Sequence, residues 1–272
     1  MKNLIIYINP NKKFEGENVH LVKIQIDNSL ELGWRRKDIM LVTNFAYEYN
    51  GVKAIVVESG NYCPFYPQGS KYNTILTLMN CDLIHNNEIY WLHDMDCYQD
   101  LHISEYELGL NGIDMALTDY GRMVRWSTGS VWFRRSAEDI FKAARDVMYK
   151  YKTGDEQALM AVTNRTDMNV SAKYKLNYKP EDIPDVRDID KRVKKLNKSY
   201  NFSFVNLRGC YNNSIKPLRV VHFHIDRGFH YPPIKSQIRF FMYGENKLGI
   251  KLMSDRLTRV FWYHRVTDQI KV

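Results

Sequence analysis

The stretch that decides the fold is EIYWLHDMDCYQDL, residues 88 to 101. Its apolar run, Ile89–His93, predicts a buried strand, and two aspartates, Asp94 and Asp96, follow directly with Met95 between them. Strands are depleted in Asp, so two carboxylates at a strand end need an explanation. Side chains two residues apart in an extended segment lie on the same side of the chain. Both carboxylates can therefore approach one divalent cation.

The segments before this stretch alternate between strand patterns and helix patterns. Such an alternation predicts an α/β fold with a largely parallel sheet covered on both faces. Ligands of open α/β sheets bind at the carboxyl ends of the strands, which is where Asp94 and Asp96 fall. The predicted strands are Leu4–Ile8, Ile39–Thr43 and Val52–Val57, and the predicted helices are Val19–Leu32 and Lys71–Asn86.

Charge is distributed unevenly along the 272 residues, whose net charge is +8. Residues 1–200 hold 27 basic and 27 acidic residues, whereas residues 201–272 hold 12 basic and 4 acidic ones. The excess suggests a polyanionic partner or a phosphate-bearing ligand, with a merely solvated basic surface as the alternative. Basic and aromatic residues that alternate in the tail suit contacts to phosphates and stacking on bases. The candidate phosphate-binding residues are Arg239, Lys251, Arg256, Arg259 and Arg265.

The same tail carries helix patterns at Pro233–Tyr243 and Gly249–His264. An amphipathic helix pair that closes the core, with its basic face in solvent, is therefore the alternative to a nucleic-acid-binding surface. No run approaches 18 apolar residues, which predicts no membrane span. The four cysteines have neither CxxC pairing nor metal-like spacing, as expected of reduced thiols in a cytoplasmic protein. They are Cys63, Cys81, Cys97 and Cys210.

Residues 153–156, Thr-Gly-Asp-Glu, match a capping box at the start of a predicted helix. Thr153 would be the N-cap and Glu156 would close the box, as in many helix starts. Capping explains this motif about as well as catalysis does, and the two interpretations can divide the residues. Asp155 would then project into a site.

Four segments together resemble, in their order and spacing, motifs of the GT-A glycosyltransferases, which use nucleotide-diphosphate sugars. They correspond to the family's DxD segment, its small-residue pocket strand, its later helix with an acidic residue near the reacting sugar, and its late strand with a metal-binding histidine. The segments are IYWLHDMDCYQDL (89–101), RWSTGSVWFRRS (125–136), TGDEQALM (153–160) and RVVHFH (219–224). The resemblance implies a GT-A-like α/β/α sandwich with a mostly parallel sheet.

The resemblance spans roughly residues 1–235, which we interpret as a catalytic domain. Its nucleotide-sugar half would be about 1–100 and its acceptor half about 101–235, followed by a basic helical extension over 236–272. The resemblance also implies a Mn²⁺ or Mg²⁺ ion held by Asp94, Asp96 and His222, with His224 in reserve. Asp96 would be the direct ligand, and Asp94 would reach the ribose or the metal through water.

The remaining roles that the resemblance implies concern the donor and the acceptor hydroxyl. Asp155 would take the acceptor's proton in an inverting enzyme, or position the sugar in a retaining one. Lys71 would meet the diphosphate, with a solvated lysine as the alternative. The donor-binding residues would be Ile8, Asn9, Thr43, Asn44, Lys71, Asp94, Thr128 and Gly129.

The acceptor is predicted from charge, size and compartment. A GT-A-like chain with a basic tail and no membrane span resembles the bacteriophage enzymes that glycosylate hydroxymethylcytosine in DNA, some of which act on a sugar already attached to the base. This resemblance implies UDP-glucose as donor and DNA as acceptor. The alternatives are a soluble transferase for cell-surface or viral glycans, a non-catalytic nucleic-acid-binding protein, and a metal-dependent nuclease or phosphotransferase. The last is disfavoured because Asp100 is the only other nearby acid and nucleases usually need more.

Overall fold

The structure is a computed structural model of the chain. It describes residues 1–120, 125–163, 178–203, 217–223 and 251–265, with the backbone alone at Arg265. The strands are β1 (Lys2–Tyr7), β2 (Ile39–Thr43), β3 (Glu48–Tyr49), β4 (Val52–Lys53), β5 (Ile55–Val56), β6 (Tyr90–His93), β7 (Cys97–Gln99), β8 (Met115–Asp119), β9 (Trp126–Phe133), β10 (Val193–Lys195), β11 (Phe202–Ser203) and β12 (Val220–His222). The helices are α1 (Asn18–Glu31), α2 (Ser70–Asn80), α3 (Glu105–Leu108), α4 (Glu138–Tyr151), α5 (Asp155–Val162), α6 (Ile189–Arg192) and α7 (Asp255–Arg265).

Seven of the described strands form a central sheet in the order β10-β8-β9-β6-β1-β2-β5. Neighbouring strands are parallel except in the two pairs that β9 makes with β6 and β8. The predicted mostly parallel sheet is confirmed. A second sheet, β11-β12-β7, branches off directly after the two aspartates, since β7 follows β6 and pairs antiparallel with β12.

Helices cover both faces of the central sheet, as the alternation of side chains along β1 makes clear. Leu4 lies in one apolar cluster with residues of α2, α4 and α5, whereas Ile5 lies in another with residues of α1 and α7. Every residue of β6 is buried, as expected of a strand covered on both sides. The predicted α/β/α sandwich is therefore confirmed.

The described part of the basic tail belongs to the core rather than to a separate surface. Leu257, Val260 and Phe261 of α7 are buried in the same cluster as Leu21 and Ile24 of α1. The described tail residues thus fit the alternative of an amphipathic helix that closes the core. The predicted helix Pro233–Tyr243 and the predicted domain boundary at residue 235 lie outside the described residues.

Three predicted elements are wrong in their extent. The helix predicted over Gly249–His264 begins only at Asp255, and the described residues 251–254 before it are not helical. The helix predicted over Lys71–Asn86 ends at Asn80, because Asp82 adopts a left-handed φ of 52° and the Leu83 N–H donates to the Leu78 carbonyl at 2.9 Å. The single strand predicted over Val52–Val57 is two short strands, since β4 pairs with β3 and β5 pairs with β2. Among the described helices, none has the length and apolar character that a bilayer crossing needs.

Candidate functional site

The turn that carries Asp94 and Asp96 is held by neighbouring elements on two sides. The Asp94 N–H donates to the Gly129 carbonyl of β9 at 3.0 Å, because β9 runs antiparallel beside β6. From α1, the fully buried Gln25 donates its carboxamide to the carbonyls of Met95, at 3.2 Å, and Cys97. The backbone that carries the two carboxylates is therefore held by the sheet on one side and by α1 on the other.

A potential metal-binding cluster lies where this turn enters β7. One ligand atom each of Asp96, Cys97 and His222 lies within 4.8 Å of the others, and all three residues are buried. His222 comes close because β12 pairs with β7 and places His222 directly opposite Cys97. Its Nε2 is 3.4 Å from Asp96 Oδ1. The structure thus brings together two of the predicted ligands, Asp96 and His222, and adds Cys97, whose spacing from the other cysteines had not indicated a metal ligand.

Asn201 and Gly129 hold the His222 ring in this position. Asn201 Oδ1 lies 3.1 Å from His222 Nδ1, while its Nδ2 donates to Ser127 Oγ at 2.8 Å. Asn201 thus ties His222 to Ser127 of β9, and the other ring nitrogen, Nε2, faces Asp96. A Cβ added at Gly129 would stand 2.3 Å from His222 Cε1, so only glycine leaves room for the ring.

We predict that Gly129→Ala lowers the affinity of the site for divalent metal by at least about tenfold, because the new methyl group displaces the ring. Gly60→Ala is the matched control, since a Cβ at Gly60 meets no atom within 4 Å. Calorimetric titration with Mn²⁺ measures the effect. Equal affinities of the two variants would exclude His222 from the metal site.

Lys71 is buried and bridges two carboxylates, contrary to the alternative of a solvated lysine. Its Nζ lies 3.0 Å from Asp94 Oδ1, 2.8 Å from Asp155 Oδ2, and 3.2 Å from both Thr128 O and Thr128 Oγ1. Thr128 also donates to Asp155 at 2.6 Å. Asp94 is therefore tied to Lys71 rather than placed in the cluster of Asp96, Cys97 and His222.

Burial alone would raise the pKa of Asp155, but the charge of Lys71 and the hydrogen bonds from Lys71 and Thr128 outweigh it and hold that pKa below its usual value. The Lys71 ammonium is disfavoured by burial, yet Asp155 and Asp94 raise its pKa well above the ordinary range. Both groups are therefore charged at neutral pH. Asp155 is held by Lys71 and Thr128, and its role as a general base stays a prediction.

The predicted capping box is wrong. The N-cap of α5 is Gly154, which has no side chain that could cap the helix. Glu156 instead accepts from the Tyr120 hydroxyl at 2.6 Å and from the Arg125 guanidinium, whose Nε is 2.6 Å away. Burial raises the pKa of Glu156 more than Arg125 lowers it. Both carboxylate oxygens are thus used by partners on the chain segment around β8 and β9, not by the helix backbone.

A cavity of about 390 Å³ opens beside the aspartate turn, at the carboxyl ends of β1 and β6. Five predicted residues line it, namely Ile8, Asn9, Lys71, Asp94 and Asp96.

Thr43 and Asn44 support the cavity wall rather than line it. Asn44 accepts from the Asn9 N–H at 3.0 Å and donates to the Asn9 carbonyl at 2.8 Å, and the Thr43 hydroxyl donates to the Phe45 carbonyl.

The predicted phosphate-binding residues of the tail make contacts within the protein. Arg256 donates to Asn28 Oδ1 and, at 2.8 Å, to the Asp100 carbonyl. Arg259 pairs with Glu31 at 2.7 Å, and Lys251 pairs with Asp255. No α7 side chain that the structure describes lines the cavity. Arg239, His224 and the side chain of Arg265 lie outside the described residues.

No protein-family model matches this sequence, and no curated protein is significantly similar to it. Among solved structures, the glycosyltransferase GlyE of Streptococcus pneumoniae TIGR4 matches with a TM-score of 0.54 and 10% identity, over 97% of this chain and 60% of that one. The galactosyltransferase LgtC, solved in complex with donor and acceptor sugar analogues, matches with a TM-score of 0.50 and 12% identity, over 97% and 96% of the two chains. The chain therefore has the GT-A-like α/β fold of these glycosyltransferases.

Proposed function

We propose that the protein is a metal-dependent glycosyltransferase that moves a sugar from a nucleoside-diphosphate donor to a hydroxyl acceptor. One observation carries the proposal: a carboxylate and an imidazole, Asp96 and His222, meet at 3.4 Å beside a cavity at the carboxyl ends of the strands of a GT-A-like sheet. Ligands of open α/β sheets bind at that edge. The proposal therefore rests on two features together, the fold and a pair of potential metal ligands at the edge of the sheet where ligands bind.

The residues present suit a first-row transition metal better than Mg²⁺. Mg²⁺ favours oxygen ligands in octahedral geometry, whereas imidazole nitrogen is a ligand for transition metals. Asp96 and His222 would hold the ion, and we therefore favour Mn²⁺ of the two predicted metals. When bound, the ion supplies positive charge beside the diphosphate as the glycosidic bond breaks.

The donor lies, in this proposal, in the cavity between β1 and the aspartate turn. Ile8 and Asn9 line the end where the nucleoside would rest, and Asn44 fixes the Asn9 backbone through two hydrogen bonds. A cavity of about 390 Å³ falls within the range of small-molecule sites. The nucleotide and the sugar stay predictions, with UDP-glucose as the expected donor.

Lys71 acts by positioning rather than by direct contact with the diphosphate. An ammonium has three N–H donors, and four acceptor atoms of Asp94, Asp155 and Thr128 already surround this one. The ammonium therefore fixes Asp94 and Asp155 side by side. A role of Asp155 towards the sugar or the acceptor hydroxyl stays a prediction, since Asp155 is buried against Lys71 and Thr128 and does not line the cavity.

The alternative of a metal-dependent nuclease has little support from the acidic residues near the site. A two-metal nuclease needs more acidic ligands, and Asp100, the nearest further acid, instead accepts from the Ser254 N–H at 3.0 Å and from the Ser254 hydroxyl at 2.6 Å.

The DNA acceptor stays a prediction that depends on the charge of the tail. A salt titration separates the acceptor classes, because phosphate contacts give a log–log slope of roughly −0.9 each and a glycan gives almost none. Arg259→Gln is the variant to use, since Arg256 anchors the fold.

The proposal is tested by thermal denaturation with a panel of nucleotide sugars, with and without Mn²⁺. Ligand at 100 times its Kd adds about 2.7 kcal/mol to the free energy of unfolding, so we expect a rise in Tm of several degrees. The rise should require both the nucleotide sugar and the metal. If no nucleotide sugar raises Tm in the presence of Mn²⁺, the glycosyltransferase assignment is wrong.

A further inference from the structure

Cys97 lies within the metal cluster, and this position has a consequence for the choice of metal. The thiol follows the aspartate turn directly, is fully buried, and stands opposite His222 across two antiparallel strands. Side chains of directly opposed residues share one face of a sheet, with Cβ atoms about 4.5–5.5 Å apart. Its Sγ is therefore directed towards the same small volume as the His222 ring, within 4.8 Å of the other ligand atoms.

The distance between Asp96 and His222 fits coordination to one small ion. Zn–N and Zn–O bonds of about 2.0–2.2 Å at tetrahedral angles place two ligand atoms about 3.4 Å apart. The observed separation of Asp96 Oδ1 and His222 Nε2 is 3.4 Å. A third ligand atom at the same centre needs only a small side-chain adjustment of Cys97.

Asn201 links the thiol to the imidazole. The same Oδ1 that faces His222 Nδ1 at 3.1 Å lies 3.7 Å from Cys97 Sγ. Metal-binding histidines commonly donate their second N–H to an oxygen that fixes the ring. Here one carboxamide oxygen, itself oriented by Ser127, contacts both the ring and the thiol. The thiol donates this contact, so a bond between the sulfur and a metal would replace it, while the contact of Asn201 with the ring would stay.

We propose that Cys97 is a ligand of the metal site, and that Asp96, Cys97 and His222 form an oxygen–sulfur–nitrogen site that binds Zn²⁺ and Co²⁺ more tightly than Mn²⁺. Thiolate ligands favour such metals over Mn²⁺ and Mg²⁺. On binding, a sulfur–metal bond forms and the thiol proton leaves to solvent. The inference rests on the metal site of the proposed function and specifies which ions that site selects.

The test is absorption spectroscopy of the protein titrated with Co²⁺, in a phosphine reductant that does not itself bind the metal. A cobalt–thiolate bond gives a sulfur-to-cobalt charge-transfer band in the near ultraviolet, whereas oxygen and nitrogen ligands give none. We expect the band in the wild-type protein and its loss in Cys97→Ser, with full retention in Cys63→Ser, Cys81→Ser and Cys210→Ser. Competition titrations should show Cys97→Ser weakening Zn²⁺ binding by roughly 10–100-fold and Mn²⁺ binding far less.

The outcomes separate this inference from the proposed function. Co²⁺ that binds to the wild-type protein without the band, or with a band that persists in Cys97→Ser, overturns the role of Cys97 and leaves the Asp96–His222 site standing. A protein that binds neither Co²⁺ nor Mn²⁺ overturns both. Absence of the band from the wild-type protein is decisive without any variant, whereas a band that is present needs the four cysteine variants to show which thiol gives it.

Discussion

Asp96→Asn is expected to abolish sugar transfer while the protein stays folded. The change removes one negative metal ligand with little change in volume, and it leaves the backbone contacts from Gln25 and Gly129 in place. A loss of about 4 kcal/mol of transition-state stabilisation, which is a reasonable share of what a metal ion supplies, lowers the rate by about 10³-fold. Turnover of the donor and Mn²⁺ affinity, both measured with purified protein, check the expectation.

Asp82→Asn is the matched control for this variant. Asp82 is an exposed aspartate in the turn after α2, paired with Arg135 at 3.3 Å, and it does not line the cavity. It should leave turnover and metal affinity unchanged. Turnover and Mn²⁺ binding close to wild type in Asp96→Asn would refute the metal site.

Lys71→Met is expected to destabilise the fold strongly, by about 3–5 kcal/mol, because it leaves the buried Asp155 without its cationic partner. Urea denaturation measures the free energy of unfolding of the variant and of the wild type. The double variant Lys71→Met, Asp155→Asn should regain part of the loss, since the uncompensated buried charge is gone. If the single and double variants lose the same stability, the ion pair is not what matters at Lys71.

The same pair predicts how the effect depends on pH. The folded-state pKa of Asp155 is lowered, so the stability it contributes is present above the unfolded value, roughly 4, and is lost as the pH falls through the lowered folded value. Without Lys71, burial raises the pKa of Asp155. As the pH falls, protonation of Asp155 therefore removes the uncompensated buried charge that destabilises the variant. The difference in stability between wild type and Lys71→Met should therefore shrink on acidification.

The strands that position the site could be predicted because each is an apolar run with a turn signal at its end. Ile39–Thr43 has the predicted bounds, and β6 differs from its prediction only at Ile89. The error at Glu156 has a different origin. A capping box is a local pattern, but the partners of Glu156 are Tyr120 and Arg125, 36 and 31 residues away, and such contacts leave no local signal.

The candidate site was predicted in part. Asp96 and His222 follow from the order of the motifs, whereas Cys97 resembles any core cysteine until β12 is placed beside β7. One feature of the sequence could have indicated a buried hydrogen-bonding role for Gln25, because this polar residue lies between Ile24 and Ile26 in an apolar stripe. What it contacts, the carbonyls of the aspartate turn, depends on the packing of α1 across the sheet.

The docking of α7 against α1 has a consequence for the order of events during synthesis. Arg256 of α7 donates to Asn28 of α1, a residue 228 positions earlier, and also to the Asp100 carbonyl just beyond β7. The N-terminal elements therefore leave the ribosome long before α7 is synthesised. Until then, the apolar residues of α1 that α7 covers in the folded protein stay exposed to solvent. Contacts of such sequence separation form slowly and late. We expect nascent chains stalled before residue 255 to bind chaperones and to be cleaved by proteases within the segment 18–31.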